Sequence, residues 1–292
     1  MRWTPGGVSS DIEDRRGGGG GFGGFGFGRG PTIGCGGAII LLVLSLLTGK
    51  NFFALFSGGG GGGAVQQQQA PVDSTAPVQQ TPEEAKTVEF ISFVLDDAQK
   101  TWTEILQQQN VPYRHSKLVL FRDATSSGCG YAQAATGPFY CPSDEKVYID
   151  LAFYDELQRR FGAPGDFAQA YVLAHEIGHH VQHILGISDK AHQAMEEDRR
   201  NANEYSVRLE LQADCLAGVW GHSTAQRNLL DPDDVDEGLA AASSVGDDRI
   251  QKMSGRAVNP ESWTHGSAEQ RAQWFRRGFE SGRISDCDTF GR

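Results

Sequence analysis

Apolar residues recur every three or four positions through most of the second half of the chain, which is the spacing of an amphipathic helix. The spacing predicts helices near residues 152–161, 166–185, 190–199, 202–227, 233–254 and 268–281. A longer helix is predicted from Pro82 to about Gln109, because Thr81 supplies a capping hydroxyl and acidic residues follow in the first turn. Two segments rich in β-branched and aromatic residues, 117–121 and 146–151, predict strands. We therefore expect an α+β fold that is predominantly α-helical, with a small sheet.

One apolar stretch lacks charged positions altogether. Residues 33–47 carry no charge, and 52–56 extend the apolar sequence beyond Lys50. The combined length is enough for a bilayer core, which needs roughly 20 residues, if the Lys50 side chain reaches the lipid interface. The sequence thus predicts one transmembrane helix within residues 31–56. A buried core helix is the alternative, but the Gly-rich sequence on both sides offers no surface that would cover it.

Composition separates the remainder of the N-terminal part from the folded domain. Residues 1–30 are dominated by Gly, Phe and Arg, and 57–80 join a glycine run to Gln and Pro, so neither is expected to build a core. Basic residues precede the span and are absent between 51 and 80; those before it are Arg2, Arg15, Arg16 and Arg29. This imbalance predicts a cytoplasmic tail at 1–30, a linker at 57–80 and an extracytoplasmic domain at 81–292.

The cysteines agree with an exported domain. Cys35 lies at the edge of the span, which leaves Cys129, Cys141, Cys215 and Cys287. An even number in an oxidising compartment predicts two disulfides, with Cys129 paired to Cys141 around a short loop and Cys215 paired to Cys287. Sequence does not fix the connectivity, and four reduced, buried thiols are the alternative. No Cys-x-x-Cys is present, so a cysteine zinc site is not expected.

The strongest chemical signal is AYVLAHEIGHHVQHILG, residues 170–186. His175 and His179 are four residues apart and project from one helix face, so both can bind one zinc ion, with Glu176 beside the open position as the catalytic base. His180 points about 100° away around the helix, and His183 lies about 12 Å along the axis from His175, so neither is expected to bind the metal.

A second helix offers the third ligand. The stretch RLELQADCLAG places Glu210 and Asp214 four residues apart among apolar neighbours. Buried carboxylates need a partner, and a metal site supplies one if Glu210 coordinates the ion while Asp214 accepts the spare N–H of a ligating histidine. The alternative is a surface helix with solvated acids. A third histidine ligand after His179 is excluded at position 185, which is leucine.

Several longer stretches carry a family resemblance, namely GPFYCPSDEKVYIDLAFYDEL, DFAQAYVLAHEIGHHVQ, RLELQADCLAGVWGH and THGSAEQRAQWFRRGF. With the Arg-containing tail and the single span, they resemble the bacterial neutral zinc metallopeptidases, within the gluzincin-like group of zincins. The resemblance implies a zincin-like fold in the bacterial cell membrane, one zinc ion on His175, His179 and Glu210, Glu176 as the base, and Asp214 as an acid behind a ligand.

The residues and the resemblance together favour a membrane-anchored zinc peptidase that acts on peptides or proteins. A non-enzymatic, zinc-stabilised envelope scaffold is the alternative, and a cell-wall peptide amidase would use the same chemistry. The net charge of −11 argues against nucleic acid. His265 is a candidate donor to the substrate carbonyl oxygen, with helix capping or packing as its alternative. Arg271 is expected to bind either a substrate carboxylate or a nearby acid.

Overall fold

The computed structural model describes residues 1–17, 78, 80–133, 137–159 and 165–291. Within these residues the helices are α1 (Pro82–Gln107), α2 (Ala152–Arg159), α3 (Asp166–Ile184), α4 (Ile187–Glu197), α5 (Ala202–Gln226), α6 (Asp234–Ser244), α7 (Asp247–Met253) and α8 (Ala268–Ser281). The strands are β1 (Ile12–Asp14), β2 (Lys117–Phe121), β3 (Ala124–Ser127), β4 (Gly130–Gln133), β5 (Phe139–Cys141) and β6 (Lys146–Asp150). The predicted mixed, mostly helical fold with a small sheet is confirmed.

The main sheet has the strand order β1-β2-β6-β5. Strand β2 runs parallel to both β1 and β6, whereas β5 runs antiparallel to β6. Strands β3 and β4 form a separate antiparallel pair. Strand β6 therefore has a neighbour on each side, and β5 ends the sheet at the side that contacts α3.

The N-terminus of α1 forms as its sequence predicts. The Thr81 hydroxyl accepts a hydrogen bond from the Glu84 backbone N–H at 3.2 Å, and the Glu84 carboxylate accepts one from the Thr81 N–H at 3.0 Å. This reciprocal pair is a capping box, which satisfies two backbone donors that the helix leaves free. The local sequence therefore determines where this helix begins.

The helix predicted over residues 233–254 is wrong as a single element, because the structure divides it into α6 and α7. The break lies at Gly246, whose backbone is extended with a ψ angle of 141°. A β-carbon at this position would lie 2.2 Å from the Ala268 backbone nitrogen, so only glycine fits there. The close approach of the first turn of α8, which is distant in sequence, explains why helical spacing alone did not reveal the break.

The prediction that residues 1–30 lie apart from the folded domain is wrong for residues 1–17. Strand β1 pairs with β2, with Ile12 opposite Leu118. The Met1 amino group lies 2.8 Å from an Asp166 carboxylate oxygen and 3.0 Å from one of Asp234. Strand β1 has only three residues, so it is too short and too polar to show a strand pattern.

The position of residues 1–17 does not support the predicted single-pass topology. Arg16 donates a hydrogen bond to the Gln80 side chain at 2.8 Å, so described residues before and after the apolar segment are in contact. One bilayer crossing between these residues would put β1 and β2 on opposite sides of the membrane, which their pairing does not allow. The predicted span at 31–56 and most of the linker at 57–80 lie outside the described residues. Among the described helices, none is long and apolar enough to cross a bilayer.

The core of the domain surrounds α3, which is buried along most of its length. Helix α5 packs against α3 on one side and α8 on the other.

Both predicted disulfides are confirmed. Cys129–Cys141 joins the β3–β4 turn to the end of β5, and Cys215–Cys287 joins α5 to a 3₁₀ turn that follows α8.

Candidate metal centre

Helices α3 and α5 bring three ligand atoms together. His175 Nε2 lies 3.2 Å from Glu210 Oε2, and His179 Nε2 lies 3.5 Å from Glu210 Oε1. One ligand atom from each of the three residues lies within 4.8 Å of the others. Ligand atoms held tetrahedrally at the usual zinc distances of about 2.0–2.1 Å are about 3.3–3.4 Å apart. The donor atoms and their spacing therefore fit a zinc ion.

Each histidine is oriented by a hydrogen bond through its other ring nitrogen. His175 Nδ1 lies 2.9 Å from Asp214 Oδ1, and His179 Nδ1 lies 2.8 Å from Gln182 Oε1. Because a carboxylate and an amide oxygen only accept, each Nδ1 carries the proton and each Nε2 is free to bind a metal. The Gln182 amide nitrogen donates to the Leu209 carbonyl oxygen at 2.8 Å, which fixes the direction of its oxygen. Sequence analysis expected Asp214 behind a histidine but did not single out Gln182.

Glu176 lies in the same buried region, with 7% of its surface exposed. Burial raises the pKa of its carboxyl above the ordinary value of 4.5, although the nearby charges of His175 and His179 oppose the rise. A raised pKa suits a group that has to take up a proton and release it again near neutral pH. Glu176 therefore lies in the same buried region as the candidate metal-binding cluster of His175, His179 and Glu210.

The cluster is also strongly coupled electrostatically. Burial alone would lower the pKa of His175, but the negative charge and hydrogen bond of Asp214, with Glu210, raise it to about 10. Burial opposes ionisation of Glu210 too, yet the charges of His179 and His265 hold its pKa well below 4.5. A cation is thus favoured between these residues. Histidine binds a metal in its neutral form, so an ion held here would displace a proton from His175.

His265 lies on the loop before α8, close enough for the negative charge of Glu210 to affect its ionisation. Burial would lower the pKa of His265, but Glu210 and Asp247 together raise it above 6.5. Asp247 Oδ2 accepts hydrogen bonds from the backbone N–H groups of three consecutive loop residues, namely Thr264, His265 and Gly266, at 2.7, 2.7 and 3.1 Å. The His265 side chain remains 33% exposed. The loop is therefore fixed while its histidine keeps access to solvent.

The other two histidines of α3 lie away from the metal-binding cluster. His180 is fully buried; its Nε2 donates to the Arg114 carbonyl oxygen at 2.6 Å and its Nδ1 accepts from the Tyr140 hydroxyl at 2.9 Å. Burial lowers the pKa of His180, in agreement with this neutral form. His183 lies 3.5 Å from a Glu145 carboxylate oxygen. His180 thus joins the helix of the cluster to β5, the last strand of the sheet.

The structure also reveals residues around Asp214 that sequence reasoning treated only in part. Tyr171 donates a short hydrogen bond to Asp214, and Arg271 makes an ion pair with the same carboxylate at 2.8 Å. Tyr171 lies four residues before His175 on α3, a spacing that places both on one helix face. The sequence could therefore have identified Tyr171 as a neighbour of His175. Of the two expectations for Arg271, the structure shows the contact with an acid.

A second group of carboxylates has a different environment. Asp166, Asp234 and Glu237 also have oxygen atoms within 4.8 Å of one another. The amino group of Met1 contacts Asp166 and Asp234 directly, and it lies 3.4 Å from Asp231. An ammonium group therefore supplies positive charge to these acids, and we do not assign a metal to them.

Comparison with known proteins gives two kinds of match. The chain is 45% identical over 295 aligned positions to "Uncharacterized protein YpfJ" of Escherichia coli (strain K12), with 100% of this chain and 99% of the relative covered. It is also 45% identical over 189 positions to "Uncharacterized protein Rv2575" of Mycobacterium tuberculosis (strain ATCC 25618 / H37Rv), covering 61% of this chain and 63% of that protein. No solved structure matches the chain significantly.

The family comparison spans nearly the whole sequence. The family described as "Putative neutral zinc metallopeptidase" matches residues 1–290. The matched region includes strand β1 as well as the helices that carry the metal-binding cluster. The chain therefore belongs to this family of zinc metallopeptidases.

Proposed function

We propose that this protein is a zinc-dependent peptidase that hydrolyses peptide bonds with Glu176 as the general base. The observation that carries the proposal is the position of a buried glutamate with a raised pKa next to a cluster of two histidines and one glutamate, which are donor types that catalytic zinc uses. Three protein ligands leave one position for water or substrate, whereas structural zinc sites usually close with four protein ligands.

In this proposal, His175 Nε2, His179 Nε2 and a Glu210 carboxylate oxygen hold one zinc ion. When bound, the ion supplies Lewis acidity and lowers the pKa of water in the site. The Glu176 carboxylate takes the proton of the attacking water and passes it to the leaving amine. Burial of Glu176 keeps bulk water from competing for that proton.

The family supports a peptide as the substrate, and the sheet offers a place for its backbone. Strand β6 lies between β2 and β5, so it has no free edge for a peptide. In the described part of the chain, β5 has only β6 as a strand neighbour. An extended peptide can add to such an edge through backbone hydrogen bonds. The hydrogen bond between Tyr140 and His180 keeps this edge beside α3, so we place the substrate along β5.

A non-enzymatic zinc scaffold is the competing function. A scaffold would need only two helices joined by a metal ion. Such a role gives no reason to bury the ionisable side chain of Glu176. Burial of an ionisable carboxyl opposes folding, so its presence favours a chemical role. A cell-wall peptide amidase would use the same groups and would differ only in the amide bond that it cleaves.

The test is the variant Glu176→Gln, made in the full-length, zinc-loaded protein. Peptide products from an unstructured protein substrate are identified by mass spectrometry, and bound zinc is measured by elemental analysis. We expect unchanged zinc content and loss of hydrolysis, because the variant removes the proton acceptor and leaves the three ligands in place. Glu196→Gln, at an exposed position on α4, is the matched control and should cleave normally.

Cleavage by Glu176→Gln at the wild-type rate would refute the role of Glu176. A wild-type protein that binds zinc and cleaves neither proteins nor cell-wall peptides would favour the scaffold. A wild-type protein that releases only cell-wall peptide fragments would favour the amidase.

A further inference from the structure

Arg271 is a buried guanidinium on α8 that belongs to neither the three ligands nor the base. Only 4% of its surface is exposed. Its Nε donates to Asp214 Oδ2 at 2.8 Å and its Nη2 to Asp214 Oδ1 at 3.0 Å. Such a two-point contact fixes the plane of the carboxylate as well as its charge. Arg271 therefore determines how the Asp214 oxygen atoms are oriented toward their other hydrogen-bond donors.

Asp214 also contacts His175, which is one of the candidate metal ligands. Asp214 Oδ1 also accepts hydrogen bonds from the Tyr171 hydroxyl and from His175 Nδ1, the latter at 2.9 Å. The Arg271 Nη2 in turn donates to the Tyr171 oxygen at 3.3 Å. Asp214 is fully buried, so no water competes for these contacts. A continuous chain of hydrogen bonds thus runs from α8 to the ring of His175.

Arg271 also supplies positive charge to the acidic residues around the candidate metal centre. Glu176, Glu210 and Asp214 are three buried or nearly buried carboxyl groups, while Arg271 is the permanently charged cation that directly contacts this group in the described residues. Its Nη2 also lies 3.9 Å from Glu210 Oε2. The single positive charge of Arg271 offsets only part of the negative charge of these carboxyls. The group therefore remains attractive to a divalent cation.

The backbone holds Arg271 where it is. Helices α5 and α8 approach so closely that a β-carbon at Gly278 would lie 1.9 Å from the Cys215 carbonyl oxygen, and one at Gly218 would lie 2.1 Å from that of Phe275. The Cys215–Cys287 disulfide also links α5, next to Asp214, to the 3₁₀ turn that follows α8. The Arg271 guanidinium is thus enclosed between helices, where a substrate carboxylate cannot replace Asp214.

We infer that Arg271 is a positioning residue of the metal centre, which orients the Asp214 carboxylate so that His175 directs its Nε2 at the ion. This inference rests on the proposed zinc site. Loss of a partner behind a ligating histidine typically weakens metal binding by 10- to 100-fold. Arg271 contacts Asp214 and not the histidine ring itself. Because it makes two of the hydrogen bonds that fix Asp214, we expect removal of Arg271 to weaken metal binding by a factor in this range.

The experiment measures the zinc dissociation constant of the full-length protein by competition with a chromophoric chelator. Arg271→Gln should weaken zinc binding by about 10- to 100-fold. Arg271→Lys keeps the charge but not the two-point contact, and should lie between Arg271→Gln and wild type. Tyr171→Phe removes one hydrogen bond from the same carboxylate and should weaken binding less than Arg271→Gln. Arg276→Gln, at an exposed position on α8, is the matched control and should bind zinc as wild type does.

Circular dichroism separates loss of metal binding from loss of fold. If Arg271→Gln does not fold, the milder variants Arg271→Lys and Tyr171→Phe decide the question. Folded variants of Arg271 and Tyr171 with wild-type zinc affinity would overturn the inference. A variant of Arg271 that binds zinc normally but loses preference for peptides with a free rather than amidated C-terminus would assign it to substrate binding instead. Failure of the wild-type protein to bind zinc would refute the proposed function itself.

Discussion

Gly178 of α3 and Ala213 of α5 lie where the backbones of the two helices that carry the candidate ligands approach closely. A β-carbon at Gly178 would lie 3.0 Å from the Ala213 carbonyl oxygen. Gly178 immediately precedes His179, and Ala213 immediately precedes Asp214, so this close approach of the helices lies within the candidate metal centre. The spacing of the candidate ligand atoms therefore depends on a glycine that is not itself one of the ligands.

Gly178→Ala should separate the two helices by a few tenths of an ångström. We expect a loss of about 1–3 kcal/mol in the free energy of unfolding, which is typical for adding a methyl group to a packed interior. We also expect weaker zinc binding, because Glu210 moves relative to His175 and His179. Chemical denaturation and chelator competition measure the two effects. Gly6→Ala is the control, since a β-carbon there would meet no atom within 4 Å. Equal stability and zinc affinity in Gly178→Ala would show that the helix spacing is not limiting.

His265→Ala should lower kcat with little change in KM, zinc content or melting temperature, if His265 donates a hydrogen bond to the substrate carbonyl oxygen. Other lost donors of this type reduce kcat on the order of 10²- to 10³-fold. Steady-state kinetics with a defined peptide measure the effect. His192→Ala, at an exposed position on α4, provides the control. A His265→Ala protein that melts early while its folded fraction turns over normally would assign the residue to packing of the loop.

Asp247→Asn tests how His265 is held. Burial favours the neutral form of His265, whereas the negative charges of Glu210 and Asp247 favour the charged form and raise its pKa. Removing the charge of Asp247 should therefore lower the pKa of His265, and an activity that needs the protonated imidazole should begin to fall at a lower pH. The pH profile of kcat measures this shift. An unchanged profile, with His265→Ala still impaired, would show that the neutral imidazole is the active form.

Acid should release strand β1 before the helical core opens. Burial alone would raise the pKa of Asp11 and of Glu13. The ion pair of Asp11 with Lys117, at 2.7 Å, outweighs this effect and holds the pKa of Asp11 below 3.8. The ion pair of Glu13 with Lys146, at 2.6 Å, likewise holds the pKa of Glu13 below 4.5. A pKa that is lower in the folded state stabilises the fold above the ordinary pKa and loses this effect as the pH falls through the folded-state value. Hydrogen exchange of residues 10–15 at pH 6 and pH 3 measures the release, with α3 amides as the internal reference. Equal protection of both regions at pH 3 would contradict the expectation.

Residues 1–17 and 80–291 should lie on the same side of any membrane that the protein meets, because β1 and β2 form one sheet. Single cysteines at the exposed positions Ser10 and Lys190 test this placement with a membrane-impermeant thiol reagent in intact cells. Both variants should react, or both should be protected, and permeabilised cells give the full signal. The unsubstituted chain measures the background from its own cysteines. Labelling of only one of the two positions would restore the single-pass arrangement.

The sequence determined much of the local structure. Helix α1 begins at Pro82 because the capping groups are encoded within four residues, and β2 and β6 follow from short runs of β-branched and aromatic side chains. The helical positions of His175, Glu176 and His179 followed from their spacing, because residues four apart share a helix face whatever the rest of the chain does. Both cysteine pairs were also expected, although their connectivity needed the structure.

The tertiary structure decided whatever depends on residues distant in sequence. Strand β1 is held by ion pairs to β2 and β6, which no hydrophobic pattern records. The break at Gly246 is imposed by Ala268, and the partner of Arg271 is selected by the packing of α8 on α5. Spacing shows which side chains share a helix face, but the distance between Glu210 and the histidines depends on how closely two helices pack. That distance is set by side-chain volume at their contact, and a single sequence does not state which helices meet.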